Sequence, residues 1–174
     1  MSEKEPDFVY KIVFLGDSNV GKTSLIQRYV YDSLSPDFGR TIGAVLHVKM
    51  LQLNNELYKL VIWDIGGQRS FSQLREQFCA NASGSFFVFD RTRPETLEHI
   101  DEWLQALRKS TENAVVIVVE NKIDLDSVIT SDQIKGMLQA RKLVHLQTSA
   151  TENMNVDDAF RELVINIRAK KDKS

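Results

Sequence analysis

The chain has 174 residues, 43% apolar and 26% charged, with a formal charge of −2. That is enough for one domain burying roughly 70% of its unfolded surface. The near-neutral balance, without a long basic block, argues against nucleic acid as the main partner. The single cysteine, Cys79, excludes an intramolecular disulfide and fits a reducing compartment. No apolar run reaches the roughly 18 residues of a membrane span. The start MSEKEPDF reads neither as a signal peptide nor as a myristoylation site.

In chain order, residues 1–7 read as a disordered tail, 8–170 as one domain and 171–174 as a short C-terminal tail. VYKIVFLG (9–16) is a buried strand ending in glycine, and 21–32 carries Leu25, Ile26, Tyr29 and Val30 at helical spacing. Residues 33–43 form a loop broken by Pro36, Gly39 and Gly43. Residues 44–53 and 56–65 are two strands joined by Asn54-Asn55, a pair suited to a tight hairpin turn. Residues 66–78 open on glycines and continue as a weak helix. Short apolar runs at 84–90, 114–120 and 143–149 are buried strands, separated by helices over about 95–109, 131–141 and 156–170. Buried strands alternating with helices predict an α/β fold. Its six-stranded, mainly parallel sheet has one antiparallel edge strand and about five helices on both faces. Ligands in such sheets bind beyond the carboxyl ends of the strands.

The stretch GDSNVGKTS (16–24) lies between the first strand and the first helix. Lys22 at a helix start is disfavoured by the helix dipole, so something negative should sit there. Strand, G-x-x-x-x-G-K-[ST], helix is the phosphate-binding P-loop in its required context. Gly16 and Gly21 let the backbone wrap a phosphate. The loop and helix N–H groups, from Ser18, Asn19, Val20 and Gly21 to Ser24, make an anion nest. Lys22 reaches the outer phosphates, and the Thr23 hydroxyl ligates Mg²⁺. NKIDL (121–125) follows an apolar strand, where the Asp124 carboxylate can accept from both N1–H and N2–H of guanine. Adenine offers no such pair. Lys122 lies along the base, and Asn121 ties this loop to the P-loop. WDIGGQ (63–68) places Asp64 at a strand end, where it can hold Mg²⁺ through water. Gly67 offers an N–H to the terminal phosphate, and Gln68 can orient a water. TSA (148–150) follows the last strand, where the Ala150 N–H can donate to the guanine carbonyl oxygen and Ser149 adjoins it.

With GDSNVGKTSL, TIG (41–43), KLVIWDIGGQ and NKIDL in this order, the chain resembles the Ras superfamily of small GTPases, most closely the Rab family, over roughly residues 8–170. The resemblance implies a P-loop NTPase G domain that binds GTP and GDP with Mg²⁺ and cycles between the two states. It implies that Thr41 is the switch I threonine, ligating Mg²⁺ and sensing the γ-phosphate, and that 65–78 is switch II. It implies an effector face of Leu46, Trp63 and Phe78, read by effector, exchange-factor and activating proteins, and regulation of membrane traffic or signalling by a monomer. Leu34 takes the base-packing position where an aromatic residue is usual, DIGGQ replaces the more usual DTAGQ, and Glu120 stands where a glycine is common. The chain ends at RAKKDKS without a cysteine, so no prenylation site is present. Either a tail was removed or the relative is unlipidated, which places the protein in the cytoplasm, peripheral to membranes at most.

The reading is a slow GTPase in which Gln68 positions water, Lys22 and Mg²⁺ stabilise developing charge, and an arginine is supplied in trans. Arg40, just before Thr41, is the one tempting arginine in cis. One alternative, motivated by Leu34, is a module that holds nucleotide with little or no hydrolysis. Another is a P-loop ATPase or small-molecule kinase, against which NKID argues. His47, His99 and His145 read as neither ligands nor bases, Arg69, Arg75 and Arg91 as surface residues, and Cys79 as an apolar contact.

Overall fold

The computed structural model describes residues 4–35, 39–68 and 72–174. One six-stranded sheet runs in the order β2-β3-β1-β4-β5-β6. Its strands are β1 (Phe8–Leu15), β2 (Ala44–Leu53), β3 (Glu56–Ile65), β4 (Gly84–Asp90), β5 (Val115–Asn121) and β6 (Val144–Gln147). All neighbouring pairs are parallel except β2 with β3, which form the hairpin. Asn54 and Asn55 turn that hairpin with φ of 50° and 65°. Two successive left-handed residues match the strand twist, and asparagine tolerates that conformation better than most residues. Every residue of the central strand β4 is buried. The edge strand β2 exposes Val45, Leu46, Val48 and Met50.

The helices are α1 (Lys22–Tyr31), α2 (Ser72–Cys79), α3 (Glu95–Glu98), α4 (Ile100–Ser110), α5 (Ser131–Gln139) and α6 (Val156–Lys171). Alternation along β1 divides the core in two. Tyr10, Ile12 and Phe14 point to one face and pack with α1 and α6 through Leu25, Ile26, Phe160 and Leu163. Val13 and Leu15 point to the other, packing with α4 and α5 through Trp103, Leu104, Leu107, Ile134 and Leu138. On α4 the buried residues Ile100, Trp103, Leu104 and Leu107 recur at i, i+3, i+4 and i+7, the stripe that seats a helix on a sheet. A capping box starts α5, with Thr130 and Gln133 exchanging hydrogen bonds. Among the described residues, no helix is long and apolar enough to cross a membrane.

The weak helix expected within 66–78, after its opening glycines, is α2 at Ser72–Cys79, and Gly66 and Gly67 are used for close packing. One boundary differs from expectation. The helix expected over 95–109 breaks at His99, whose φ of −77° and ψ of 5° end α3. At this break the His99 ring meets the loop after β1 (below). The carboxyl ends of β1, β3, β4 and β5 fall at one edge of the sheet, carrying Gly16, Asp64, Asp90 and Asn121 into one neighbourhood.

Candidate nucleotide site

In the loop between β1 and α1 every carbonyl from Gly16 to Gly21 is taken by a donor. Lys22 Nζ donates to Gly16 O at 2.6 Å and Asp17 O at 2.8 Å. Arg93 Nη2 donates to Ser18 O at 2.8 Å, Lys122 Nζ to Asn19 O at 2.8 Å, and Asn121 Nδ2 to Val20 O at 2.9 Å. Gly21 O accepts the first helical bond, from Leu25 N. A loop whose carbonyls are all occupied by donors leaves its N–H groups for an anion. Asn19, at φ 63°, and Gly21, at φ 101°, make the turn, and a Cβ on Gly21 would stand 2.2 Å from the Asn121 amide nitrogen.

A cleft of about 220 Å³ opens over the loop. It is lined by Ser18, Asn19, Gly21, Lys22, Thr23 and Ser24, by Gly39, Arg40 and Thr41 opposite, and by Gly67 and Lys122. Lys22 is buried, and burial pushes its ammonium down to about 8 although Asp64 and Asp17 favour the charge. Below it three oxygens converge. Thr23 Oγ1 donates to Asp64 Oδ2 at 2.5 Å, Thr41 Oγ1 lies 2.9 Å from Thr23 Oγ1, and Thr41 Oγ1 donates to Asp64 Oδ2 at 3.3 Å. Asp64 is 1% exposed, and its Oδ1 is buried without a hydrogen-bond partner among the described residues. An all-oxygen set with one unsatisfied carboxylate oxygen suits a hard cation such as Mg²⁺, which takes few protein ligands and completes its shell with water and phosphate.

Gly66 and Gly67 join this end of β3 to the cleft. Gly66 N donates to Gly43 O at 2.8 Å, and a Cβ on Gly66 would meet Thr41 O at 2.4 Å. A Cβ on Gly67 would meet Ser18 N at 2.2 Å. Gln68, half-buried, accepts from Arg75 Nη2 at its carbonyl at 2.9 Å.

The NKIDL turn is held from below. Asn121 is buried and its Oδ1 accepts from Thr148 Oγ1 at 3.1 Å, while Ile123 N donates to Thr148 O. Lys122, at φ 66°, also pairs with Asp90 Oδ2 at 2.7 Å. Asp124 is exposed and its Oδ1 accepts from Ser149 Oγ at 2.5 Å. Ala150 O accepts from Arg28 Nε. Asp124, Ser149 and Ala150 therefore come together at one end, and Lys22, Thr23, Thr41 and Asp64 at the other. Leu34 is half-buried in the segment after α1 and is not part of the cleft lining among the described residues.

Leu46, half-exposed, is registered opposite Trp63 across the hairpin. The Trp63 and Phe78 rings lie 5.7 Å apart, with Lys11 Nζ 5.0 Å from the indole centroid. These three residues form one patch beside the cleft.

Several residues overturn the expectation of a plain surface. Arg75 is only 2% exposed, because its guanidinium stacks 3.6 Å over the Trp103 ring and pairs with Glu102. Arg91 is half-buried on Glu120. Arg69 lies outside the described residues. Asp17 accepts from Trp103 Nε1 at 2.9 Å and meets His99 Nδ1 at 2.6 Å, so His99 belongs to the loop's support. Cys79 is buried and its thiol is pushed up to about 11 by burial, which suits an apolar contact. Asp90 and Arg93 went unnoticed in the sequence, although Asp90 ends a strand at the edge where the other site residues gather.

This fold, P-loop and Thr–Asp oxygen cluster define a P-loop NTPase of the α/β class. A sequence model of the Ras family matches residues 11–169. Ras-related protein RABA1h of Arabidopsis thaliana is 33% identical over 169 residues, covering 95% of this chain and 78% of that protein. Ras-related protein RIC2 of Oryza sativa subsp. japonica is 34% identical over the same shares. Ras-related protein RABA4b of Arabidopsis thaliana is 35% identical over 164 residues, 92% of this chain and 73% of that protein. The chain belongs to the Ras family of small GTPases, and it is similar to the Rab-type members.

Proposed function

We propose that residues 8–170 form a GTP-hydrolysing switch that binds GTP and GDP and acts in the cytoplasm, peripheral to membranes, in traffic or signalling. The meeting of Thr23, Thr41 and Asp64 beside buried Lys22 carries this reading. It links the phosphate loop to residues on two other segments, so a terminal phosphate would be sensed on both sides. Thr23, Thr41 and Asp64 would hold Mg²⁺, which when bound neutralises charge on the phosphate oxygens. Lys22 would bind the outer phosphates and Gly67 N–H the terminal one. Asn121, Lys122, Asp124, Ser149 and Ala150 would hold guanine, with Leu34 against its face. Gln68 would hold the attacking water in line with the γ-phosphorus. The bond to the bridging oxygen then breaks, leaving GDP and phosphate. No described arginine reaches the oxygen cluster by a hydrogen bond, and Arg40 lies at the cleft rim, so an arginine from an activating protein would raise a slow basal rate. Leu46, Trp63 and Phe78 would be read by effectors.

The test is single-turnover phosphate release from GTP and from ATP, with Mg²⁺ and with EDTA, in wild type and Gln68→Leu. Release from GTP alone, dependent on Mg²⁺ and reduced about a hundredfold by Gln68→Leu at unchanged GTP affinity, is expected. Turnover in Gln68→Leu equal to wild type would remove Gln68 from the reaction.

A further inference from the structure

Glu120, the last residue but one of β5, directly precedes the NKIDL turn and is wholly buried. Its Oε1 accepts from Arg91 Nε and lies the same 2.9 Å from Arg91 Nη2. Its Oε2 accepts from Gln147 Nε2 at 2.9 Å. His145 Nε2 stands 3.0 Å from that oxygen without the alignment of a hydrogen bond. A buried carboxylate held this way fixes the arginine in one orientation. The free edge of the guanidinium then faces the turn. Arg91 Nη1 donates to Ile123 O at 3.0 Å and to Leu125 O at 3.3 Å, the carbonyls on either side of Asp124. Arg91 N also donates to Asn121 O, and Arg91 O accepts from Val128 N. Inside the turn, Lys122 is left-handed at φ 66°. A non-glycine residue stays in that region only when its surroundings over-determine it.

We propose that Arg91, anchored by Glu120, is the positioning residue that sets Asp124 for selecting the guanine 2-amino group. This rests on the guanine-nucleotide reading above. The arginine acts through the turn. It holds the two carbonyls that flank the base-reading carboxylate, so the carboxylate approaches N1–H and N2–H without reordering the turn. Lysine at 91 would keep the charge against Glu120 but lacks the fork that spans both carbonyls. The competing role is a fold anchor between β5 and β6, because Glu120 also takes Gln147.

Equilibrium titration with GDP and with inosine diphosphate, which lacks the 2-amino group, separates the two roles. The proteins are wild type, Arg91→Lys, and the neutral pair Arg91→Met with Glu120→Gln, which leaves no buried charge unpaired and so protects the fold. The pair is also made on an Asp124→Ala background. Outer partners of ligand-binding groups typically contribute about 10–100-fold, a range established for metal ligands. The expected result is a loss of about tenfold in the GDP-over-inosine preference, in the neutral pair and in Arg91→Lys alike, and less than about twofold further loss of GDP affinity on the Asp124→Ala background. An unchanged preference, rescue by lysine, or an equal loss in the absence of Asp124 would overturn the proposal and leave Arg91 a fold anchor. Wild type that binds ADP as well as GDP would overturn the guanine reading itself, and this proposal with it.

Discussion

The two ends of the site are built differently. At the phosphate end the nest itself is one short loop that carries its own lysine: Lys22 satisfies carbonyls five and six residues before it, while Arg93, Asn121 and Lys122 brace the rest of the loop and Thr41 and Asp64 join it from other segments. At the base end the proposed reading residue, Asp124, is exposed, and its turn is supported by Arg91 on another segment, which Glu120 just before the turn anchors together with Gln147. A phosphate is a strong, nearly spherical charge that a local nest of N–H groups recognises. A base edge demands two directed hydrogen bonds, and aiming a carboxylate that accurately takes a scaffold.

The largest effect that tests this contrast is Asp124→Asn. Replacing an acceptor by a donor opposite N1–H and N2–H should weaken GDP by about 10⁴-fold, since sites built around directed hydrogen bonds discriminate on that scale. Xanthosine diphosphate, with a carbonyl in place of the 2-amino group, should then bind better than GDP. Competition titration reads both, and GDP affinity that survives intact would make the base end as undemanding as the phosphate end.

Next in size is the scaffold's own stability. Arg91→Met alone strands a buried carboxylate and should cost about 3 kcal/mol in denaturant unfolding. Burial by itself would raise the Glu120 carboxyl, but contacts from His145, Gln147 and Arg91 hold it at about 2, below the ordinary 4.5. A carboxyl lowered in the folded state contributes stability above about pH 4.5 that is lost as the pH falls toward about 2. Glu120→Gln should therefore flatten the acid-side loss of stability between those values. An unchanged acid profile would mean that other carboxylates dominate it.

At the phosphate end the buried charge costs stability instead of contributing it, although stability again rises with pH. Burial lowers Lys22 to about 8 from 10.5, so the folded chain releases this proton earlier than the unfolded chain does. Its charge costs stability below about pH 8, and stability rises with pH from there to about 10.5. A bound polyphosphate supplies the missing negative charge and restores the proton. GDP binding at about pH 9 should take up close to one proton, absent in Lys22→Met. Calorimetry in buffers of different ionisation heat measures it, and no buffer dependence would show that Lys22 stays charged throughout.

The smallest effect is Leu34→Phe. An aromatic face on guanine should slow GDP dissociation about three- to tenfold, in keeping with the modest worth of ring stacking. Stopped-flow release gives the rate. A rise would mean that Leu34 does not reach the base from the half-buried position it holds after α1.

Most of the architecture was legible in the residues. The ranges 44–53, 56–65 and 84–90 are the strands observed, because alternation or unbroken apolar runs between turn residues leave few other conformations. The P-loop, Asp64 and the NKIDL turn were legible too, since each is a short motif at a strand end or in the following loop, whereas Thr41 was reached only through the family resemblance. Arg75, Arg91, His99, Asp17 and Glu120 were not. A charged residue alone in a polar stretch reads as solvated, and its burial depends on a partner that the sequence places far away: Arg75 meets Trp103, Asp17 meets His99, and Arg91 meets Glu120. Gly66 was legible only as a departure, and folding supplies its reason, the Thr41 carbonyl that leaves no room for a Cβ. The sequence by itself determined the sheet and the phosphate loop, because those rest on local periodicity and on a motif a few residues long. Only the tertiary structure decided how the NKIDL turn is held, because pairing a buried charge is a long-range choice, made when β4, β5 and β6 come side by side.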